Sequence, residues 1–150
     1  MLQNLLLTKL SLFVDMKYKN NPLNIRYSPK NNWLGQCDSK NGFCQFNTLY
    51  YGCRASIKLL HNYTVHGCNT IGQIISRFAP QNENNTSAYI SAVCGFLGCS
   101  ADYVVKDKDL PKLAFAMSRV EQGKYDLDLL IPLVISFDNL SFCYVDYEKE

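Results

Sequence analysis

From residue 47 to residue 98 the chain repeats one local grammar: a side chain able to cap a helix, an apolar stripe at helical spacing, and a stop at glycine or proline. In "NTLYYGCRASIKLLHNY", Asn47 or Thr48 caps a helix whose Leu49, Cys53, Ile57 and Leu60 share one face, ending near Gly67. Thr70 opens "IGQIISRFA", which stops at Pro80 because the residue before a proline avoids the α region. "QNENNTSAYISAVCGFLG" offers Asn85 or Thr86 as cap, Tyr89, Ile90, Val93 and Leu97 as a buried face, and Gly98 as terminator. Asp109 begins a further helix, with Pro111 tolerated in its first turn, that runs through "LAFAMSRVEQG". Successive helices of this kind, joined by short polar breaks, predict a mainly α fold.

The remaining segments read differently. "MLQNLLLTKLSLFV" places Leu2, Leu5, Leu6, Lys9, Leu12 and Phe13 as in an amphipathic helix; it has no basic n-region or A-x-A-like site, so it is not read as a signal peptide. Residues 18–36, "YKNNPLNIRYSPKNNWLGQ", are dense in Asn, Pro and Gly and predict an ordered loop. "GFCQF" alternates apolar and polar residues and is expected to pair with "NNWLGQC" across "DSKN" as a small hairpin. The tail, "DLDLLIPLVISFDNLSFCYVDYEKE", suits a strand or a buried helix equally, because a continuous apolar run carries no period. The expectation is α+β but mainly α: five or six helices and one small β-hairpin in a single domain over residues 1–150.

A chain of 150 residues can bury about two thirds of its unfolded surface without disulfides or metals. Its net charge of +2 gives no electrostatic footprint for nucleic acid, and "LDLLIPLVISF" is too short to span a membrane. The seven cysteines include no C-x-x-C pair and sit mostly in apolar stretches, which predicts free thiols filling the core and synthesis in a reducing compartment. Ten tyrosines and eight phenylalanines supply rings enough to line a groove.

Taken as an ordered set, "NNPLNIRYSPKNNWLGQ", "FCQF" and "YYGCRASIKLLHNY" resemble the segment after the catalytic glutamate in flagellar-type N-acetylglucosaminidases and related lysozyme-like enzymes. Extended through "TIGQIISRFAPQNENNTSAYISAV", the set is similar to a family of phage virion proteins and peptidoglycan-degrading proteins, over about residues 20–123. Leu23 stands where that pattern usually shows glycine. Those enzymes carry their acid at a helix end before the Asn-rich loop, in a pattern like I-x-x-x-E-x-G, whereas residues 1–20 here hold no glutamate. "AMSRVEQG" has that pattern near the other end, so the resemblance implies a circularly permuted order of elements, which is tolerated where termini lie close together.

The resemblance implies cleavage of peptidoglycan glycan strands, by lytic transglycosylase or muramidase/glucosaminidase chemistry. Glu121 is then the general acid/base, its carboxyl kept protonated by a partly apolar pocket. Trp33, Tyr50, Tyr51 and Tyr89 are candidates to stack on sugar faces, and Asn24, Arg26 and Gln36 to bond N-acetyl or lactyl groups. Each has a structural reading: Trp33 closing the hairpin, Arg26 capping a carbonyl, Tyr89 in the core. Asp38, Asp126 and Asp128 are the candidates for a second acid; with none, the sugar's own 6-hydroxyl would attack and leave a 1,6-anhydro end. Glu83, the rival acid, reads as part of a capping motif. No cofactor or metal is implied. The expected partners are glycan strands and other virion proteins, not nucleic acid; synthesis would be in the bacterial cytoplasm, with delivery in a virion or to the cell wall.

Two other classes compete. A Cys-His amidase would need His61 or His66 beside an activated thiol, and no cysteine lies at an obvious helix N-terminus. A non-catalytic virion structural or wall-binding module would keep the fold without the site.

Overall fold

The computed structural model describes residues 15–140. The amphipathic segment at residues 2–13, and Cys143 with the last of the tail, lie outside them. The described chain runs β1 (Gln36–Lys40), β2 (Phe43–Phe46), α1 (Leu49–Val65), α2 (Ile71–Phe78), α3 (Thr86–Leu97), α4 (Leu110–Gln122) and α5 (Leu130–Leu140), with single 3-10 turns at Asp107–Asp109 and Leu127–Leu129. It is mainly helical with one two-stranded antiparallel hairpin, as the sequence predicts.

The caps fall where the sequence puts them. Thr48 accepts from Tyr51 N–H at the start of α1, Thr70 forms a full capping box with Gln73 on α2, and Asn85 accepts from Ala88 N–H on α3. Gly98 and Gly123 close α3 and α4 in the left-handed conformation. The tail resolves as helix α5. Pro132 fits because it falls in the first turn, where its absent N–H would have no intrahelical acceptor.

The hairpin differs from expectation. "DSKN" is not the connection: Asp38, Ser39 and Lys40 are paired in β1 with Gln45, Cys44 and Phe43. The turn is Asn41–Gly42, both at positive φ (55° and 83°), the two-residue geometry whose twist matches antiparallel strands.

The core gathers Leu23 and Ile25 of the loop, Phe46 of β2, the inner faces of α1 to α4, and Leu133 of α5. Helix α1 lies against α4 and α5, and α4 packs on both α3 and α5, so α4 is held from several sides. The Asn-rich loop rests directly on α1 at Gly52, where a Cβ would overlap the Asn20 carbonyl. No helix among the described residues is long and apolar enough to cross a membrane.

Candidate functional site

The Asn-rich loop is built around a buried side chain. Asn21 accepts from Ile25 N–H at 2.8 Å through Oδ1, and its Nδ2 donates to Ile25 O at 3.1 Å and Cys44 O at 2.8 Å. This folds residues 21–25 into a closed turn anchored to β2, and it sets Asn24 at φ 52°, a left-handed conformation that asparagine tolerates better than most residues.

The last turn of α4 grips this loop. Asn24 Nδ2 donates to Glu121 Oε1 at 2.9 Å and to the Glu121 main-chain carbonyl at 3.1 Å. Gln122 Nε2 donates to Asn24 Oδ1 at 3.1 Å, Pro22 O at 2.9 Å and Asn21 O at 3.2 Å, while Gln122 Oε1 accepts from Lys17 N–H at 3.1 Å. The Asn24 amide therefore receives with its oxygen and gives with its nitrogen, which fixes its orientation. Segments about a hundred residues apart in sequence meet here, and the last turn of α4 packs on the Asn-rich loop.

Behind the carboxylate stands Tyr89 of α3, 6% exposed, its ring edge-on to Phe78 at 6.4 Å. Its hydroxyl is buried beside Glu121 without reaching strict hydrogen-bond geometry to any acceptor among the described residues. Burial, and then the neighbouring Glu121 charge, push the phenol well above its usual pKa, so it stays a proton donor. Burial likewise raises the Glu121 pKa; Asn24, Tyr89, Lys17 and Arg26, which all favour the ionised form, offset this only in part.

Glu121 opens onto a groove of about 450 Å³, with Asn24, Arg26, Tyr18, Phe43 and Tyr63 among its walls. Tyr18 stacks flat on Phe43, centroids 4.4 Å apart, and Arg26 lies over the same ring at 5.2 Å. Arg26 Nη2 also pairs with Glu83 at 3.1 Å across an exposed rim. This corrects the reading of Glu83 as part of a capping motif: Asn85 caps α3, and Glu83 reaches back to the loop.

Of the residues expected to bind sugar, Asn24, Arg26 and Tyr89 surround Glu121; the others do not. Trp33 is 2% exposed with its ring in the core, so it has no face free to stack. Tyr89 is buried too, and its place is behind the acid. Gln36 begins β1 and Tyr51 packs over Gly35, neither lining the groove. The groove's rings are instead Tyr18, Tyr27, Phe43, Tyr63 and Phe78, which the sequence reading missed. Tyr18 and Tyr27 lie in the Asn-rich segment and Phe43 in the hairpin motif, so motif membership was a usable signal for them; Tyr63 and Phe78 gave none.

Among the described residues lining the groove, Glu121 is the one carboxylate. Asp38 is exposed on β1, and Asp126 caps the turn after α4 by accepting from Asp128 N–H. His61 lies 3.6 Å from Asp107, His66 bonds the Asn62 carbonyl, and neither lines the groove. Cys44 and Cys53 are buried thiols, Cys44 pushed up to about 11, the reverse of an activated nucleophile. No group of three or more His, Cys, Asp or Glu suited to a metal occurs among the described residues.

No family model matches the chain. It is 35% identical over 109 residues to Protein P5 of Pseudoalteromonas phage PM2, a match spanning 69% of this chain and 68% of that protein. With that identity over two thirds of both proteins, the chain belongs to the family of the phage PM2 Protein P5.

Proposed function

We propose that the protein cleaves the glycan strands of peptidoglycan, with Glu121 as the single general acid/base. The observation that carries this reading is the setting of Glu121: a half-buried carboxyl, raised above its usual pKa by burial, held by Asn24, backed by Tyr89 and facing a ring-lined groove. A carboxyl kept protonated near neutral pH is what a leaving glycosidic oxygen requires. The phage relative is compatible with a virion-borne or wall-directed enzyme, and its name carries no activity.

With one carboxylate lining the groove, the chemistry favoured is lytic transglycosylation. Glu121 gives its proton to the bridging oxygen as the glycosidic bond breaks. The sugar's 6-hydroxyl then attacks the anomeric carbon and returns its proton to the Glu121 carboxylate, leaving a 1,6-anhydro end. Tyr18 would offer a sugar the face turned away from Phe43, and Asn24 would hold the acid in place. Digestion of purified peptidoglycan followed by mass analysis of the new ends tests this. Anhydro ends support it, reducing ends indicate hydrolysis, and intact strands refute cleavage.

A second reading is a non-catalytic virion or wall-binding module. The Arg26–Glu83 pair favours it, because the guanidinium on the groove wall is already engaged by a carboxylate. Retained binding to insoluble wall without any product would select this reading.

A further inference from the structure

We infer that Cys94 and Cys99 form an intramolecular disulfide site at the C-terminus of α3. Gly98 ends that helix at φ 69°, and the N–H groups of Gly98 and Cys99 both converge on the Cys94 carbonyl, at 2.8 and 3.2 Å. This closure turns the chain back on itself so that the residue after the glycine folds over the residue five positions earlier, where two apolar side chains usually meet. Here the two side chains are thiols. The bond from Cys99 N–H to the Cys94 carbonyl, at 3.2 Å, puts the two backbones in direct contact, the first condition for a disulfide, whose Cα atoms usually stand about 4.4–6.8 Å apart.

Burial, and then the adjacent Cys99, raise the Cys94 thiol above its usual pKa. Both residues are half-buried, unlike Cys44 and Cys53 in the core, so a small oxidant reaches them without unfolding the chain. Cys99 also lines a second cavity of about 520 Å³ with Tyr103, Asp109 and Lys112, and a bridge to α3 would pin that wall.

The oxidant class is a hydroperoxide. Because a raised thiol is the poorer nucleophile, the Cys99 sulfur attacks the peroxide first, breaking the O–O bond and releasing water as it becomes a sulfenic acid; the Cys94 sulfur then displaces a second water and the S–S bond forms. Two thiols lose two electrons and two protons, and the peroxide is reduced to water.

The test is mild oxidation of the folded full chain with hydrogen peroxide, unfolding, alkylation of remaining thiols and tryptic mass analysis. The fragment spanning residues 78–106 contains both cysteines. It should be lighter than its reduced form by two hydrogens and carry no alkyl group. Oxidation in urea should lower this bridged fragment several-fold, because the α3 turn is then lost, and a Cys94→Ser variant should leave Cys99 alkylated or paired elsewhere. A doubly alkylated fragment from the oxidised folded protein, equal bridging in urea, or bridges made only through Cys37 would overturn the assignment.

Discussion

The side-chain amide of Asn24 donates to the carboxylate of Glu121 at 2.9 Å and to the same residue's main-chain carbonyl at 3.1 Å. One amide thus ties a loop to both the backbone and the side chain at the end of α4. It also opposes the effect of burial on the Glu121 carboxyl. Burial raises the proton affinity of Glu121, and the Asn24 amide works against that rise.

Glu121→Gln preserves size and keeps a carbonyl oxygen for Asn24, so the fold should persist by circular dichroism. Wall-degrading activity should fall by about 10²–10⁴-fold, since a positioned acid typically contributes that much. Sedimentation with insoluble wall should be unchanged, because it draws on the groove's rings. Undiminished activity would place the chemistry elsewhere.

The same substitution reports on stability. A carboxyl whose folded pKa is raised binds its proton more tightly folded than unfolded. Its stabilising contribution is full below the ordinary Glu pKa of about 4.3 and is lost as pH rises through the folded value. Wild type should therefore lose ground to Glu121→Gln in denaturant midpoint from pH 4 to pH 7. A difference constant with pH would contradict the burial-driven shift.

Tyr89→Phe removes a buried hydroxyl while retaining the ring on Phe78, so thermal stability should barely change. The hydroxyl favours the ionised form of Glu121, so its loss should move the alkaline limb of the pH–activity profile to higher pH. Turnover should fall by less than in Glu121→Gln, because the hydroxyl acts on the carboxylate's charge and gives no proton to the substrate. An unshifted limb would detach Tyr89 from the acid.

Gly52 and Gly95 offer a paired test of the contact between the loop and α1. Alanine usually stabilises a helix interior by about 0.5–1 kcal/mol, and at Gly95 of α3 a Cβ meets nothing, so Gly95→Ala should show that gain. At Gly52 the added Cβ overlaps the Asn20 carbonyl, and Gly52→Ala should cost about 1–3 kcal/mol instead. Chemical denaturation of both variants measures the opposite signs.

Local chemistry was legible in the sequence. Thr48, Thr70 and Asn85 mark helix starts because their side chains satisfy amides a few residues away, and Gly98 marks an end because only the local backbone decides its left-handed turn. Asn41–Gly42 carried an equally local hairpin signal that the reading passed over in favour of "DSKN". The tail was undecidable from pattern: helix α5 shows apolar residues on both its buried and exposed faces, with Leu133 inside and Ile131 and Val134 outside, so no period appears.

By itself, then, the sequence determined the mainly helical class and the helix boundaries from α1 to α4, while Glu121 was singled out only through a resemblance. Tertiary structure decided which neighbours that carboxylate has. Trp33 went to the core and Tyr89 behind the acid, while Tyr18 and Phe43 stacked on the groove wall. Glu83 crossed from the segment before α3 to Arg26 on the loop. Caps and turns close over three or four residues and leave their mark in the local pattern. The contacts of Glu121 with Asn24 and Tyr89 join distant segments, and no local pattern encodes which faces meet once α3, α4 and the loop share one core.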